Sequence, residues 1–281
     1  MTTYKGINGF AVQSVASDPS PLDEGQVWYN NATYAFKLAS VTTAGTWATG
    51  GTMGTARRNL AGAGTQTAGL AFGGYVTVDL ASTEEYNGTS WTSGGNLATA
   101  RIALGGAGTQ TAGLACGGFA GAPVVAATEE YDGTSWTSGG NLATARGQLA
   151  ACGTQTAALG FAGYKGTPPP VFTGATEEYD GTSWTSGGTM GTARTALAGC
   201  GIQTAALAIG GETTVVVANT EAYNGTSWTA DTSLSTARRY LAGAGTQTAA
   251  LAFGGLTTVA VANTEEYTGA GAPVTKTITT S

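Results

Sequence analysis

The chain repeats one block of about 45 residues in register, and this periodicity constrains its fold more than any other feature. The fullest copy spans residues 128–146 and reads TEEYDGTSWTSGGNLATAR. Near-copies start at Thr83, Thr176, Thr220 and, in shortened form, Thr264, and a partial copy occupies residues 45–57. Trp, Tyr, Arg and Gln keep the same phase in successive copies. The chain is therefore a repeat protein, and each copy should form one structural unit.

Each copy predicts four short β-strands, called a, b, c and d in chain order. Apolar runs bounded by Gly-rich turns are typical of strands. Asp-Gly or Asn-Gly shortly before the Trp indicates the tight turn of a hairpin, because Gly accepts positive φ. No stretch shows the 3.6-residue apolar period of a substantial helix. A repeated four-stranded unit of this length is typical of a propeller blade, so the sequence predicts an all-β propeller.

The repeat resembles the kelch motif over roughly residues 45–267. The resemblance rests on a diglycine after strand b, a Tyr followed five positions later by a Trp, and an Arg ten positions after that Trp. The diglycines are Gly73-Gly74, Gly117-Gly118, Gly210-Gly211 and Gly254-Gly255, and the pairs are Tyr86/Trp91, Tyr131/Trp136, Tyr179/Trp184 and Tyr223/Trp228. The third unit departs from the pattern with Phe161-Ala162-Gly163, and strand a is unusually rich in Ala and Gly. The resemblance implies a kelch-like propeller but no particular activity.

Counting the copies predicts five blades in a closed ring, which removes the open sheet edges that invite aggregation. The last unit, which begins at Arg238, reaches Tyr267 and then has no Trp. We expect the orphan strand around Trp47, residues 45–49, to supply its missing strand d; the alternative is the alternating segment 273–280. The resulting plan is an N-terminal arm (1–44), a five-bladed propeller (45–267) and a C-terminal tail (268–281).

Composition indicates what fills the core and which partners are excluded. Leu, Ile, Val and Phe are scarce, so Ala and Gly should line the narrow axis while Trp and Tyr fill the space between blades. A net charge of -6 argues against a nucleic-acid partner, which calls for basic patches. We find no membrane span and no signal peptide pattern. No cofactor or metal is expected, because the chain has no His and Cys116, Cys152 and Cys200 take positions held by Ala or Phe in other copies.

The recurring Arg and the first Glu of the Thr-Glu-Glu-Tyr motif are predicted to form structural ion pairs, within a blade or between adjacent blades. The arginines are Arg57, Arg101, Arg146, Arg194 and Arg238, and the glutamates are Glu84, Glu129, Glu177, Glu221 and Glu265. The alternative is a glycosidase acid pair. A carboxylate repeated in every unit favours structure over catalysis, and the lack of His excludes Ser-His-Asp and Cys-His chemistry. The sequence therefore predicts a protein that is not an enzyme, with no catalytic residue.

Variation between copies is concentrated in the loop between strands b and c. The kelch resemblance implies that these loops share one face of the disc with the d–a connections, and that this face binds ligands. The candidate ligand-binding residues there are Tyr75, Asp79, Phe119, Tyr164, Lys165, Phe172 and Glu212. This aromatic and polar mixture suits contact with a glycan or a protein. The alternative is neutral drift in tolerant loops.

The N-terminal arm carries no repeat. Its stretch GQVWYNNATYAFKL, residues 25–38, predicts a hairpin around Asn30-Asn31. The arm is similar to N-terminal segments of bacteriophage virion proteins, in which a DP…P…GQ-[VI]-WYN stretch precedes a fibre or adhesin module. Trp28, Tyr29 and Phe36 are then candidates for docking on another virion protein or for forming a homo-oligomer. The alternative is an ordinary extension in which Trp28 and Tyr29 form local core.

These observations and resemblances together lead to one functional expectation and two alternatives. We expect a non-enzymatic phage tail or fibre protein, similar to those of marine phages, assembled in the host cytoplasm into the virion. Its propeller would bind a host-surface glycan or protein, or decorate the particle, without inserting into a membrane. A bacterial kelch-type protein-interaction scaffold is the second candidate, and a carbohydrate-active enzyme is the third.

Overall fold

The computed structural model describes residues 4–5, 11–17, 27–32, 35–38, 49–166 and 171–269, and all regular structure in them is β-strand. The chain divides into two compact units, Met1–Thr49 and Gly50–Ser281. Within the described ranges no helix is long and apolar enough to span a membrane.

The first unit contains a four-stranded sheet. Its strands are β1 (Tyr4–Lys5), β2 (Ala11–Val15), β3 (Val27–Asn30) and β4 (Ala35–Leu38), in the order β1-β2-β3-β4. Strands β3 and β4 form the antiparallel hairpin that the sequence predicts, with Tyr29 opposite Phe36. The parallel pairing of β2 with β3 is a finding that the local pattern did not predict, because the two strands are separated by a long connection.

The second unit is a five-bladed β-propeller, so the predicted all-β fold is confirmed. Blades 1 and 2 are β5 (Ala61–Thr65), β6 (Ala68–Phe72), β7 (Thr83–Tyr86) and β8 (Trp91–Ser93), then β9 (Gly105–Gly108), β10 (Gly113–Cys116), β11 (Thr128–Tyr131) and β12 (Trp136–Ser138). Blade 3 is β13 (Ala150–Thr154) and β14 (Ala157–Phe161), a small hairpin of β15 (Tyr164–Lys165) and β16 (Val171–Phe172), then β17 (Thr176–Tyr179) and β18 (Trp184–Ser186). Blade 4 is β19 (Ala198–Ile202), β20 (Ala205–Ile209), β21 (Thr220–Tyr223) and β22 (Trp228–Asp231), and blade 5 is β23 (Ala242–Gly245), β24 (Ala249–Phe253) and β25 (Thr264–Thr268).

The first strands of successive blades lie beside one another, so they form the innermost layer around the axis. Their Ala and Gly residues suit this crowded position, where a larger side chain would meet the neighbouring blade. At Gly106, for example, an added Cβ would meet the ring of Phe72 in blade 1. The larger side chains lie further out, where Phe72 packs against Trp136 of blade 2 with ring centroids 4.8 Å apart. The sequence prediction of a small-residue axis with aromatic residues between blades is therefore correct.

Successive blades are joined by contacts that recur from one interface to the next. The indole N–H of Trp136 donates to Thr83 Oγ1 of the preceding blade over 2.9 Å, and Trp184 and Trp228 do the same with Thr128 and Thr176. The side-chain amide of Gln155 donates to the carbonyls of Gly113 and Tyr131, at 3.0 and 2.8 Å. Gln110, Gln203 and Gln247 repeat this pair of bonds at the other three interfaces. The Trp and Gln recur at fixed positions in the repeat because each forms the same hydrogen bonds across an interface between blades.

The junction between blade 5 and blade 1 differs from the other four. Among the described residues, Trp91 and Gln66 of blade 1 make none of these bonds to blade 5. Leu251 of blade 5 is 38% exposed, whereas its counterparts in blades 1 to 4 are at most 2% exposed. Residues 45–48 and 273–280, the two candidates for the missing strand d, lie outside the described part of the chain. Closure of the ring by residues 45–49 therefore stays a prediction.

Candidate functional site

The five recurring arginines form buried ion pairs with the first Glu of strand c in their own blade. Nη2–Oε1 distances are 2.5 Å for Arg57–Glu84, 2.7 Å for Arg101–Glu129 and 2.8 Å for both Arg146–Glu177 and Arg238–Glu265, and Arg194 pairs in the same way with Glu221. All five arginine side chains are fully buried. The sequence left open whether the pairs form within or between blades, and the structure places them within.

These pairs also hold the connections between blades. Arg101 donates to the carbonyls of Gly117 and Ala127, at 3.0 and 2.7 Å, in addition to Glu129. Glu129 in turn accepts the N–H of Ala98, which lies in the connection from blade 1, over 2.6 Å. Burial lowers the pKa of Arg101, and the adjacent Glu129 carboxylate opposes that shift. The arrangement occupies the carboxylate and the guanidinium, which favours a structural role.

The second Glu of the motif contacts a Tyr of the next blade. Tyr131 and Tyr179 donate to Glu85 and Glu130, and Tyr223 donates to Glu178 over 2.5 Å. Burial and this bond to a carboxylate raise the pKa of each of these three tyrosines to about 12. The second acids are thus engaged at blade interfaces.

The d–a connections and the b–c loops meet on one face of the propeller, as the kelch resemblance implied. In every blade the residue after the recurring Arg forms a β-bridge with the first residue after strand b and its Gly-containing turn. These bridges are Arg58–Tyr75, Ile102–Phe119, Gly147–Tyr164, Thr195–Glu212 and Arg239–Leu256. We call the surface formed by these paired segments the axial face.

Four of the predicted ligand-binding residues line one cavity on the axial face. Phe119, Tyr164, Phe172 and Glu212 surround it together with Gln148 and Thr195, and its volume is about 360 Å³. The rings of Phe119 and Tyr164 are stacked, with centroids 5.8 Å apart and an interplanar angle of 29°. We call this space the aromatic cavity. The sequence predicts that these loops share one face, and the structure places loops of blades 2, 3 and 4 around a single cavity on it.

The other three predicted residues lie on the same face but line neither this cavity nor the one described next. Tyr75 and Asp79 face each other across the small b–c hairpin of blade 1. The Asp79 carboxylate accepts the N–H of Gly121 in the adjacent blade over 2.7 Å. Lys165 lies in β15, opposite Val171. Their placement makes them rim residues of the axial face.

A second cavity, of about 520 Å³, lies at the centre of the axial face and was missed by sequence reasoning. Its wall carries the residue two positions after each recurring Arg, and the leucine that follows each of them. These wall residues are Asn59, Ala103, Gln148, Ala196 and Tyr240, all with φ between 50° and 55°. Non-Gly residues adopt this left-handed conformation at a cost of about 1–3 kcal/mol, and such residues cluster at functional sites. We call this space the axial cavity.

A chain of backbone hydrogen bonds holds these residues around the axis. Ala103 donates to the carbonyl of Asn59 over 2.8 Å, Gln148 to Ala103 over 2.8 Å, and Ala196 to Gln148 over 3.1 Å. Tyr240 continues the chain by donating to Ala196 over 2.7 Å. Each blade thereby presents one side chain to the central opening from a position that its neighbour fixes.

Gln148 joins the two cavities because it lines both. Thr195 Oγ1 donates to Gln148 Oε1 over 3.1 Å, which orients the amide. The Gln148 amide nitrogen lies 3.4 Å from Tyr240 Oη and donates to it.

A signal for the residues of the axial wall exists in the sequence. The two positions after each recurring Arg vary between copies whose surroundings are nearly constant, reading RN, IA, GQ, TA and RY.

The arm residues proposed for docking belong to the first unit. Trp28 is buried, with 3% exposure, and Tyr29 is half-buried. The position of Phe36 is given by its pairing with Tyr29, and its side chain lies outside the described part. Buried Trp28 fits the alternative of local core for that residue, and a docking role for the arm stays a prediction.

The described residues hold no group of Cys, Asp and Glu arranged to bind a metal ion. Cys116, Cys152 and Cys200 are buried free thiols. Burial raises the pKa of the Cys116 thiol to about 11, so it stays protonated and behaves as a small apolar side chain. Comparison of the chain with protein-family models and with curated proteins gives no match.

Proposed function

We propose that the protein is a non-enzymatic adhesin whose axial face binds a surface glycan of a host cell. The observation that carries the proposal is the pair of adjoining cavities connected by Gln148. One cavity offers the stacked rings of Phe119 and Tyr164, and the other offers Tyr240 and Asn59 around a floor of leucines. Saccharides bind to such surfaces because their C–H faces pack on aromatic rings while their hydroxyls bond to amides and carboxylates.

The state of the nearby carboxylates supports binding over hydrolysis. Glycoside hydrolysis uses two carboxyl groups that flank one bond, one of them free to donate a proton. Glu212 is ion-paired with Arg239 over 2.5 Å, and Asp79 accepts the N–H of Gly121. Both carboxylates are therefore already engaged by neighbouring groups, which favours recognition of hydroxyl groups over proton transfer.

The virion setting belongs to the same proposal. The arm sequence around Trp28 and Tyr29 resembles the segment that precedes fibre modules in bacteriophages, and the kelch-like repeat resembles propellers that follow such arms. We propose that the arm docks on other virion proteins, or forms a homo-oligomer, and that the propeller is displayed on the particle. Mass spectrometry of purified virions tests this setting, with recovery of the chain in virions as the expected result.

Glycan binding is tested with the full chain on an array of cell-surface glycans. We expect binding that Tyr164→Ala weakens by at least tenfold, equal to about 1.4 kcal/mol. Leu256→Ala is the matched control, since Leu256 holds the same repeat position in blade 5 and lines neither cavity. We also expect no release of reducing sugar from the bound polysaccharide. Binding that is unaffected by Tyr164→Ala, or no binding to any glycan, would contradict the proposal.

A protein-binding scaffold is the second candidate, and one observation favours it. Val78, Val215 and Val259, at equivalent tips of the b–c hairpins in blades 1, 4 and 5, are 63%, 63% and 65% exposed. Apolar side chains at loop tips suit a protein partner more than a polar glycan. Triple substitution of these valines by Thr would abolish partner capture in this case and leave glycan binding intact in the first.

A further inference from the structure

The cationic side chains of residues 49–269 fall into two sets. The five recurring arginines are fully buried in ion pairs with the glutamates of strand c. The three that remain are Arg58, Lys165 and Arg239. Arg58 and Arg239 pair with b–c loops, and Lys165 lies within one, so all three are on the axial face. In a chain with a net charge of -6, the axial face therefore holds all the propeller cations that are not in the buried pairs with strand c.

The opposite face carries charge of the other sign. Its c–d turns include Asp132 and Asp180, whose carboxylates accept backbone N–H bonds from the turn residues that follow. Within the described part of the chain no Lys or Arg lies in these turns. The axial face also carries Asp79 and Glu212, but its three cations outnumber these two acids. Because charge patches direct how a charged ligand approaches, an anion is favoured on the axial face over the face of the c–d turns.

The two arginines adjoin the axial cavity. The Arg239 guanidinium lies 5.4 Å from the ring centroid of Tyr240, which lines the axial cavity, and it pairs with Glu212, which lines the aromatic cavity.

Arg58 has the same position in blade 1 and precedes Asn59 of the axial wall. Its guanidinium lies 5.0 Å from the ring centroid of Tyr75. Within the described ranges it has no carboxylate partner. A guanidinium stacked on a ring keeps the N–H groups at its edge, and these match a carboxylate in a two-bonded geometry.

We propose that the ligand is an acidic saccharide whose carboxylate groups contact Arg58 and Arg239 at the rim of the axial cavity. The inference rests on the proposed function and adds the chemical class of the glycan. Sugar rings occupy the two cavities, Lys165 attracts a further carboxylate along the chain of the polymer, and the negative remainder of the propeller disfavours other orientations. A uronic-acid polysaccharide has this chemistry.

Calorimetry on the full chain tests the class of ligand with matched probes. Oligogalacturonate is compared with the same oligosaccharide after reduction of its carboxyl groups, and with dextran sulfate. We expect oligogalacturonate to bind at least tenfold more tightly than the reduced form. We also expect that preference to shrink when ionic strength is raised from about 0.05 to about 0.5 M, because added salt screens exposed charges.

Variants of Arg58 and Arg239 test whether these arginines cause the preference for the acidic oligosaccharide. Arg58→Gln and the double variant Arg239→Gln/Glu212→Gln should each reduce the preference for the acidic form by about fivefold or more, while Arg58→Lys retains part of it. Asp132→Asn, on the opposite face, is the control and should leave both affinities unchanged. The double variant avoids leaving the Glu212 carboxylate without its partner.

Three other results would each contradict a specific part of the proposal. Equal affinity for the reduced and acidic oligosaccharides, with dependence on Tyr164 retained, would overturn the acidic class and leave the glycan-binding function standing. Equal affinity for dextran sulfate would show attraction to charge alone and would overturn the assignment of carboxylate contacts. If neither form of the oligosaccharide binds and the glycan array is also negative, both the inference and the proposed function are wrong.

Discussion

Tyr267 of blade 5 donates a hydrogen bond to Asp231 of blade 4 over 2.7 Å, at the interface where the repeat has lost its second glutamate. At the three preceding interfaces the corresponding Tyr donates to the second Glu of strand c. Blade 4 has Ala222 at that position. Its strand d, Trp228–Asp231, is one residue longer than strand d of blades 1 to 3 and ends at the replacement carboxylate. The bond from Tyr to a carboxylate is therefore present at this interface too, but the carboxylate comes from strand d instead of strand c.

The bond between Tyr267 and Asp231 predicts that a Glu at position 222 can replace Asp231 in stabilising the fold. Asp231→Ala should lower the free energy of unfolding by about 0.5–1.5 kcal/mol, the usual net value of one such hydrogen bond. Adding Ala222→Glu should restore most of the loss, because a Glu at this position bonds the next Tyr in blades 1 to 3. Urea unfolding of the single and double variants measures it. A double variant no more stable than the single one would show that the Asp231 contact is incidental.

The buried ion pairs predict a large loss on removal of one partner. Arg146→Ala leaves the Glu177 carboxylate buried without its partner, and we expect a loss of about 3–5 kcal/mol. Arg239→Ala is the control, because its pair with Glu212 is about a quarter exposed and should contribute about 0–1 kcal/mol. Thermal unfolding followed by circular dichroism compares the two. Equal melting temperatures for the two variants would contradict a structural role for the recurring arginines.

The blade-interface tyrosines predict instability at alkaline pH. Burial and hydrogen bonds to carboxylates raise the pKa of Tyr131, Tyr179 and Tyr223 to about 12, above their value of about 10 in an unfolded chain. A raised pKa in the folded state stabilises it fully below pH about 10, and that contribution is lost as pH rises towards about 12. We expect the free energy of unfolding, measured in urea, to fall over this window. Tyr179→Phe should reduce the size of the fall, and an unchanged free energy across the window would refute the assignment.

Closure of the ring predicts a specific partner for Trp47. In blades 2, 3 and 4 the strand d Trp donates to the first Thr of strand c in the preceding blade. If residues 45–49 supply strand d of blade 5, Trp47 should donate to Thr220, which is 4% exposed in blade 4. Trp47→Ala should then cost about 3–5 kcal/mol. Truncation after residue 269 should leave stability unchanged, whereas the reverse pattern would favour closure by residues 273–280.

Much of the propeller could be predicted because its determinants repeat locally. Gly-rich turns and the small residues of strand a recur in all five copies and the Tyr/Trp spacing recurs in four, so the copies support the same interpretation. The pairing of Arg101 with Glu129 could be predicted as a type of contact, since the first Glu of the motif is the acid present in all five copies. Whether the pair lay within or between blades depended on how the chain turns between strands, which the sequence does not state.

The sequence by itself determined the number of blades, the all-β class and the residues that hold each blade together, because these depend on short-range pattern repeated in phase. Only the tertiary structure decided that Asn59, Gln148 and Tyr240, about 90 residues apart in chain position, share one cavity. That convergence requires the blades to be arranged around a common axis. The same geometry gathers Arg58, Lys165 and Arg239 on one face, because the bridges between d–a connections and b–c loops bring every blade's variable positions to the same side.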